Sequence, residues 1–405
     1  MQQTTTMTQD AVGTRLEAQI SRRMLLAGSA GLAGVAAMAG RPALAQGTAP
    51  AAVLPIQAPV RQDWLDKHRE EIIEPALPII DPHHHLWDRP GYRYLFPELL
   101  ADVGSGHNIR ATCYEQAREM YRADGPEELK SLGETEFVSG VSAMSASGKY
   151  GPTRCITGII GFVDLRLGSR AKGVLERHIA VSDGRLRGIR NGSTWSDDPR
   201  LKIFTAGGPP GLLLDKSFRE GFATLAPLGL TFDAWMFQTQ LGDVVDLARA
   251  FPKTTIVLNH CGAPLAIGPY AGKREEAFTE WRDRIREVAS LPNTYVKLGG
   301  LGMKLSGFTF FDNDQPPSSE DLEKAWRPYI ETCIAAFGPQ RSMFESNFPV
   351  DKGTCSYQVL WNAFKRLAAG YSADEKGGTL QRCRSEGLSP AGVRRFSREP
   401  APARV

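Results

Sequence analysis

Residues 79 to 88 read Ile-Ile-Asp-Pro-His-His-His-Leu-Trp-Asp, so a short apolar run delivers an acid and then three consecutive histidines. Imidazole is the commonest metal ligand among side chains and a general acid or base near neutral pH. Three of the chain's seven histidines stand here. On an extended backbone His83 and His85 aim at one face and His84 at the other. Such spacing at the end of a buried strand serves metal ligation or proton transfer.

The elements that must position these imidazoles alternate with regularity. Short apolar, β-branched runs occur at about 77–81, 109–114, 155–163, 186–190, 230–236, 255–259, 294–298 and 341–345. Between them lie segments with apolar residues every three or four positions, among them Leu212 to Leu225, Leu241 to Phe251, Phe278 to Leu291 and Leu322 to Phe337. Strands separated by helices pair in parallel through right-handed crossovers. Eight such units define an α/β chain folded as a (β/α)8 TIM barrel. An open doubly wound sheet is the competing topology, but no G-x-G-x-x-G follows the first strand. The stretch from Gln116 to Arg154 is expected to form a loop and helix over one rim.

Chemistry in such a barrel belongs at the C-terminal strand ends. The first strand offers Asp81, His83 and His85, the second Glu115, the fourth Arg190 and the fifth Asp233. The later strands add His260, Lys297, Glu345, Asn347 and Asp351. A structural scaffold has no need for that concentration of titratable groups. Arg190 and Lys297 would grip a substrate carboxylate, a guanidinium in bidentate fashion and an ammonium as a point charge. Trp87 and Trp235 sit near strand ends, where either could floor a ring. No G-x-S-x-G is present, which weighs against an α/β-hydrolase serine mechanism.

Asp81-x-His83-x-His85-x-Trp87, with Asn259-His260-Cys261-Gly262 and Phe344-Glu345-Ser346-Asn347-Phe348-Pro349, resembles the amidohydrolase-related barrels. Within them the resemblance is to the branch of 2-pyrone-4,6-dicarboxylate lactonase and sugar-lactone hydrolases, and it runs from about Leu77 to Leu367. It implies hydrolysis at a carbonyl. His83 and His85 match the strand-one pair and His260 the later histidine, which hold a metal or polarise the carbonyl without one. The strand-eight acid that activates water is replaced here by Asn347, and an amide neither takes a proton from water nor binds a cation well. Glu345, two residues earlier on the same face of an extended strand, or Asp351, just beyond Pro349, would stand in. Arg190 occupies the region of the bridging carboxylated lysine of binuclear members, so two metals are not expected. The cofactor is either absent or one divalent ion, zinc, on His83, His85 and His260.

These residues imply a hydrolase of a lactone or similar cyclic ester of a carboxylated or sugar-like small molecule. A metal-dependent decarboxylase on the same histidines is the runner-up, and a binding protein that has lost its base at Asn347 is a third reading. At 42% hydrophobic, 23% charged and a net charge of +3, the 405-residue chain is globular in composition and carries no footprint of nucleic-acid binding.

The first 45 residues read as an export signal. Ser21-Arg22-Arg23-Met24 opens a mild apolar stretch that closes on Ala43-Leu44-Ala45, resembling a twin-arginine leader with an A-x-A cleavage site. The mature protein is expected in the periplasm, outside the membrane, with the twin-arginine machinery as the precursor's partner. Residues 46–75 read as a flexible linker and lead-in, and 76–376 as the barrel. The Gly-, Arg- and Pro-rich tail at 377–405 reads as unstructured, the product of a frameshift. There is no C-x-x-C among the six cysteines, and Cys113, Cys155 and Cys261 fall in or beside strand-like runs, where buried thiols are expected.

Overall fold

A computed structural model of the chain describes residues 56–205, 208–372 and 375–376. The expected leader and tail lie outside them, as do residues 46–55 of the linker. Eight parallel strands follow one another around a single sheet in chain order. They are β1 Pro78–His84, β2 Asn108–Glu115, β3 Arg154–Gly161, β4 Leu186–Gly192, β5 Thr231–Trp235, β6 Ile256–Leu258, β7 Thr294–Leu298 and β8 Ser342–Phe344. A principal helix follows each in turn: α1 Phe96–Val103, α2 Leu132–Ala146, α3 Ala171–Val181, α4 Lys216–Phe222, α5 Leu241–Ala250, α6 Arg274–Ala289, α7 Ser319–Phe337 and α8 Tyr357–Leu367. This is the (β/α)8 barrel the alternation of patterns predicts.

Where a strand's register is unbroken, the period-two rule sorts it into a helix-facing and an axis-facing set. On β5, Phe232 packs edge-on against Phe218 and Phe222 of α4, with ring centroids 5.9 and 5.2 Å away, so its neighbour Asp233 turns to the axis. On β8, Phe344 meets Phe364 of α8 at 4.8 Å, and Glu345 then faces inward. α7 shows why a helix forms where it does. Ser318 caps it by accepting from the Asp321 N–H at 3.1 Å. Leu322, Trp326, Tyr329, Ile330, Cys333, Ile334 and Phe337 make one buried stripe, and Gly338 at φ 76° ends the helix.

Two expectations change. The Gln116–Arg154 stretch is not a rim insertion as a whole: α2 within it is the β2–β3 crossover, and only its first residues reach the mouth. From Ile56 onward the expected linker is a packed strap. Ile56 and Ala58 are buried, Ile56 O accepts from the Lys304 N–H at 3.0 Å, and Trp64 Nε1 donates to Asn313 O at 2.9 Å. The cause is compositional, since leaving the apolar side chains of Ile56, Ala58, Trp64 and Leu65 in water costs free energy. Cys155 and Cys261 are buried thiols. Among the described residues no helix is long and apolar enough to cross a membrane.

Candidate active site

The seam between β8 and β1 closes through the site residues themselves. The Asn347 N–H donates to His83 O at 2.9 Å and the His85 N–H to Phe348 O at 2.7 Å. Asp81 stitches the seam from below, its Oδ1 accepting from the Ser346 N–H at 3.0 Å and its Oδ2 from the Tyr357 hydroxyl at 3.0 Å. Burial pushes the Asp81 carboxyl up to about 6.

His84 turns away to Thr112 Oγ1 at 2.8 Å, while His83 and His85 meet on the axis side with their Nε2 atoms 3.2 Å apart. His260 follows β6 on a left-handed backbone, φ 56°, and its ring lies 4.7 Å from that of His83. Room for this turn comes from two glycines after β7. A Cβ on Gly300 would lie 2.5 Å from His260 Cβ, and one on Gly299 would lie 2.4 Å from Glu345 O. Glu345, fully buried, accepts at Oε1 from His260 Nδ1 at 2.7 Å and from the His260 N–H at 3.0 Å. Its Oε2 lies 2.6 Å from His83 Nδ1 without hydrogen-bond alignment.

Beneath the histidines runs an ionic layer. Lys297 Nζ donates to Asp233 Oδ2 at 2.6 Å and Glu115 Oε2 at 2.8 Å, and lies 3.4 Å from His83 Nδ1. Arg190 Nε lies 3.2 Å from Glu115 Oε1, and its NH2 donates to Gln116 O at 2.6 Å. Desolvation is the main cause of the shifts at the three axis-side histidines, Glu345 and Glu115. It holds His83, His85 and His260 well below their ordinary range, aided by the cations nearby. Glu345 is pushed up to about 8 by burial, and Glu115 to about 8 by burial and then Asp233. Lys297, although burial pulls it down, is held above its ordinary value by Asp233 and Glu115.

A cavity of about 350 Å³ opens over the histidines at the C-terminal strand ends. His85, His260, Asn347, Arg190, Trp87 and Trp235 line it. Lys297 does not. It belongs to the ionic layer and lines a separate space deeper in the barrel, so its expected grip on substrate is replaced by a grip on two acids. Its inward direction on β7 is legible from the strand period, but its depth below the mouth is not.

Asp351 is also displaced from its expected place. It sits behind Asn347, accepting from Asn347 Nδ2 at 2.9 Å and from the Gly302 N–H at 3.1 Å, and burial pushes it up to about 8. Asn347 lies on a left-handed backbone, φ 54°, not on an extended strand. It lines the cavity, and Glu345 lies beneath.

Gln57, Gln116, Arg118 and Arg89 line the cavity without having been singled out for it. Arg89 is fixed by Glu119 at 2.6 Å and lies 4.3 Å over the Trp87 ring. The loop carrying Arg118 hangs on buried Glu134 of α2, which accepts from the Ala117 N–H at 2.7 Å and the Glu119 N–H at 3.2 Å. The available signal for Glu134 was its place three and four residues before Phe137 and Val138, on the apolar face of its helix. For Gln57 it was the apolar run of Leu54 to Val60, too greasy for a solvated linker.

Among the described residues, His83, His260 and Glu345 form a group able to hold one metal ion, their ligand atoms within 4.8 Å of one another. Glu345 thus stands in that set where His85 was expected. The donor chemistry fits an ion. His85 Nδ1 faces Glu115 O at 2.8 Å, and a carbonyl only accepts, so His85 Nε2 carries a bare lone pair. Two bare nitrogens cannot rest 3.2 Å apart, so His83 carries its proton on Nε2, which leaves its Nδ1 bare at 2.6 Å from Glu345 Oε2. Glu345 Oε2, buried without a hydrogen-bond partner, is a further vacant donor atom.

A parallel eight-stranded barrel with a histidine–carboxylate cluster at its C-terminal mouth defines a metal- or imidazole-assisted hydrolase scaffold. The chain belongs to the amidohydrolase family, whose model matches residues 80–381, and is a hydrolase of that family. An uncharacterised protein of Sinorhizobium fredii, y4mH, is 32% identical over 322 residues, 74% of this chain and 94% of that protein. The L-fucono-1,5-lactonase of Burkholderia multivorans is 27% identical over 321 residues, covering 75% of this chain and 95% of that enzyme. A crystal structure of an amidohydrolase from Burkholderia multivorans with bound zinc matches with a TM-score of 0.57 at 25% identity, over 75% of this chain and 96% of that one.

Proposed function

We propose that this protein hydrolyses a lactone of a polyhydroxylated, sugar-like acid. One observation carries the reading: the residues around the cavity leave a set of buried polar atoms without protein partners. They are both polar atoms of the Gln57 amide, Gln116 Oε1, Asn347 Oδ1 and Trp87 Nε1. Unsatisfied buried groups cost about 1–3 kcal/mol each, and a ligand rich in hydroxyls supplies donors and acceptors alike. A polyanion fits less well, because Arg89 and Arg190 already have acids in Glu119 and Glu115, and Lys297 lies out of reach. The lactonase among the relatives supports the same reading.

In the protein without an ion, His260 is the base. Its Nδ1 is held by Glu345, which leaves Nε2 toward the cavity for a proton from water. Water adds to the lactone carbonyl, the ring C–O bond breaks, and His260 returns the proton to the departing ring oxygen. Arg190, on the cavity wall with NH1 3.5 Å from His83 Nε2, stabilises the oxyanion as charge develops. Glu345 is a positioning residue that sets the tautomer and orientation of His260. His83, His260 and Glu345 would hold one divalent ion, zinc in this reading, and its contribution is Lewis-acid chemistry at the carbonyl.

Assay of the purified protein on aldonolactones, before and after chelation, tests the proposal. Hydrolysis that disappears in His260→Ala is expected; absence of turnover across the lactone series rejects it. Turnover that survives chelation assigns the reaction to the imidazoles alone. Chelator-sensitive decarboxylation of an aromatic acid would instead establish the decarboxylase reading.

Export through the twin-arginine route to the periplasm belongs to the same proposal, supported by Ser21-Arg22-Arg23-Met24 and Ala43-Leu44-Ala45. The mature chain is expected to begin at Gln46, and replacing both arginines by lysine should retain the precursor in the cytoplasm.

A further inference from the structure

We infer that the strap ahead of the barrel reads the substrate, with Gln57 as a specificity-determining residue that hydrogen-bonds a ring hydroxyl. The inference rests on the lactone reading for its substrate class. Gln57 lies upstream of the 80–381 span that matches the family, in a segment the barrel fold does not require. It is 2% exposed, lines the cavity with His85, Trp87 and Asn347, and neither its Oε1 nor its Nε2 has a partner. A surface amide would be hydrated and a structural one would be bonded. A buried, unbonded amide in a cavity wall is complementary to something the cavity receives.

The strap is held firmly enough to serve as a wall. Ile56 O is bonded to the Lys304 N–H at 3.0 Å on the side before Gln57. On the side after it, Ala58 lies so close to Gly353 that a Cβ there would sit 2.1 Å from Ala58 O. Trp64, 3% exposed, anchors the following turn. Gln57 is therefore pinned on both sides, which keeps the entropy of ordering its amide against a ligand small. An amide presents a donor and an acceptor, the pair that one hydroxyl satisfies.

The experiment compares wild type, Gln57→Ala and Gln57→Glu on an aldono-δ-lactone and on δ-valerolactone, the same ring without hydroxyls. Calorimetric binding of the aldonate product runs in parallel. Gln57→Ala should lose roughly tenfold in kcat/KM on the aldonolactone, mostly in KM, and change little on δ-valerolactone. Gln57→Glu, equal in size but without the donor, should lose selectivity in the same direction. The Tm of Gln57→Ala should not fall, because an unsatisfied amide has been removed.

Equal losses on both lactones, or no loss on the aldonolactone, overturn the role of Gln57 and leave the lactonase reading standing. A wild type that turns over neither lactone, yet binds the aldonate more tightly than Gln57→Ala, overturns the lactonase reading and keeps the strap. No turnover and no dependence of binding on Gln57 overturn both.

Discussion

The C-terminal ends of β1 and β8 lie side by side across the barrel seam, yet they deliver their side chains by different means. β1 runs as a strand through His84, its register against β2 shifting between Asp81 and His84, and past that shift alternation sends His83 and His85 to one face and His84 to Thr112. β8 stops at Phe344, after which the chain turns through a left-handed Asn347. Glu345 therefore drops beneath the histidines while Asn347 rises to the cavity wall. A strand, even one whose register shifts, still places neighbouring side chains by period, whereas a chain that has left the sheet places them by local turns whose cost must be met by specific partners. Here those partners are the His83 carbonyl, Asp351 and Gly302.

The largest effect is expected where the two ends are joined by a third element. His260 touches Glu345 of the β8 end and lies beside His83 of the β1 end. His260→Ala should lower kcat by about a thousandfold, within the range for loss of a general acid–base. Glu345→Gln should lower kcat nearly as far with little change in KM, since it acts through His260. If His83→Ala alone abolishes turnover and His260→Ala barely alters it, the chemistry belongs to the β1 end only.

Lys297→Met tests the layer beneath both ends. Removing one partner of a buried ion network leaves Glu115 and Asp233 without their ammonium, at a cost of about 3 kcal/mol. The folded-state value of Glu115 is already about 8, above its unfolded value near 4.3, so the fold favours the protonated carboxyl. Its stabilising contribution is complete at acid pH and is lost as pH rises toward 8. Denaturant unfolding should show the Lys297→Met deficit shrinking at acid pH and growing through neutrality. A deficit independent of pH would mean that lost packing, not charge, is the cause.

Much of this architecture is legible in the residues. Eight β-branched runs and the apolar stripes between them mark the barrel because both patterns follow from burying one face. His83, His85, His260 and Glu345 are legible because they stand at strand ends. What escapes is depth and irregularity. Lys297 points inward as the strand period requires, but nothing in its neighbours says that Glu115 and Asp233 will hold it below the cavity. Asn347 and Glu345 are assigned one face only if the strand continues, and it does not. Gln57 is hidden because a strap is defined by what it packs against, which is distant in sequence.

Zinc titration of the chelated protein asks which end holds an ion. Binding at about a hundredfold excess over Kd adds about 2.7 kcal/mol to stability and raises Tm by a few degrees. Glu345→Gln should abolish that rise if His83, His260 and Glu345 are the ligands, while His85→Ala should retain it. The reverse pattern would return the ion to the β1 pair.

The smallest effect should come from Asn347→Asp, which places a second carboxyl where Asn347 Nδ2 now donates to Asp351 at 2.9 Å. Two buried carboxylates at that distance cannot both ionise, so one keeps its proton and the cavity wall loses its fixed hydrogen-bond pattern. About a tenfold loss in kcat/KM is expected, equivalent to one hydrogen bond of about 1.4 kcal/mol. Asp351 itself favours the fold when protonated, because its folded-state value of about 8 exceeds the unfolded one near 3.9. A second such carboxyl should steepen the fall in stability between those two values and leave stability unchanged at more acid pH. Adding Asp351→Asn exchanges the two side chains and restores one acid beside one amide. Recovery in that double variant would identify the pair, rather than the residue at 347, as what the β8 turn has put in place of a single acid. A single variant as active and as pH-insensitive as wild type would show that the turn tolerates either residue.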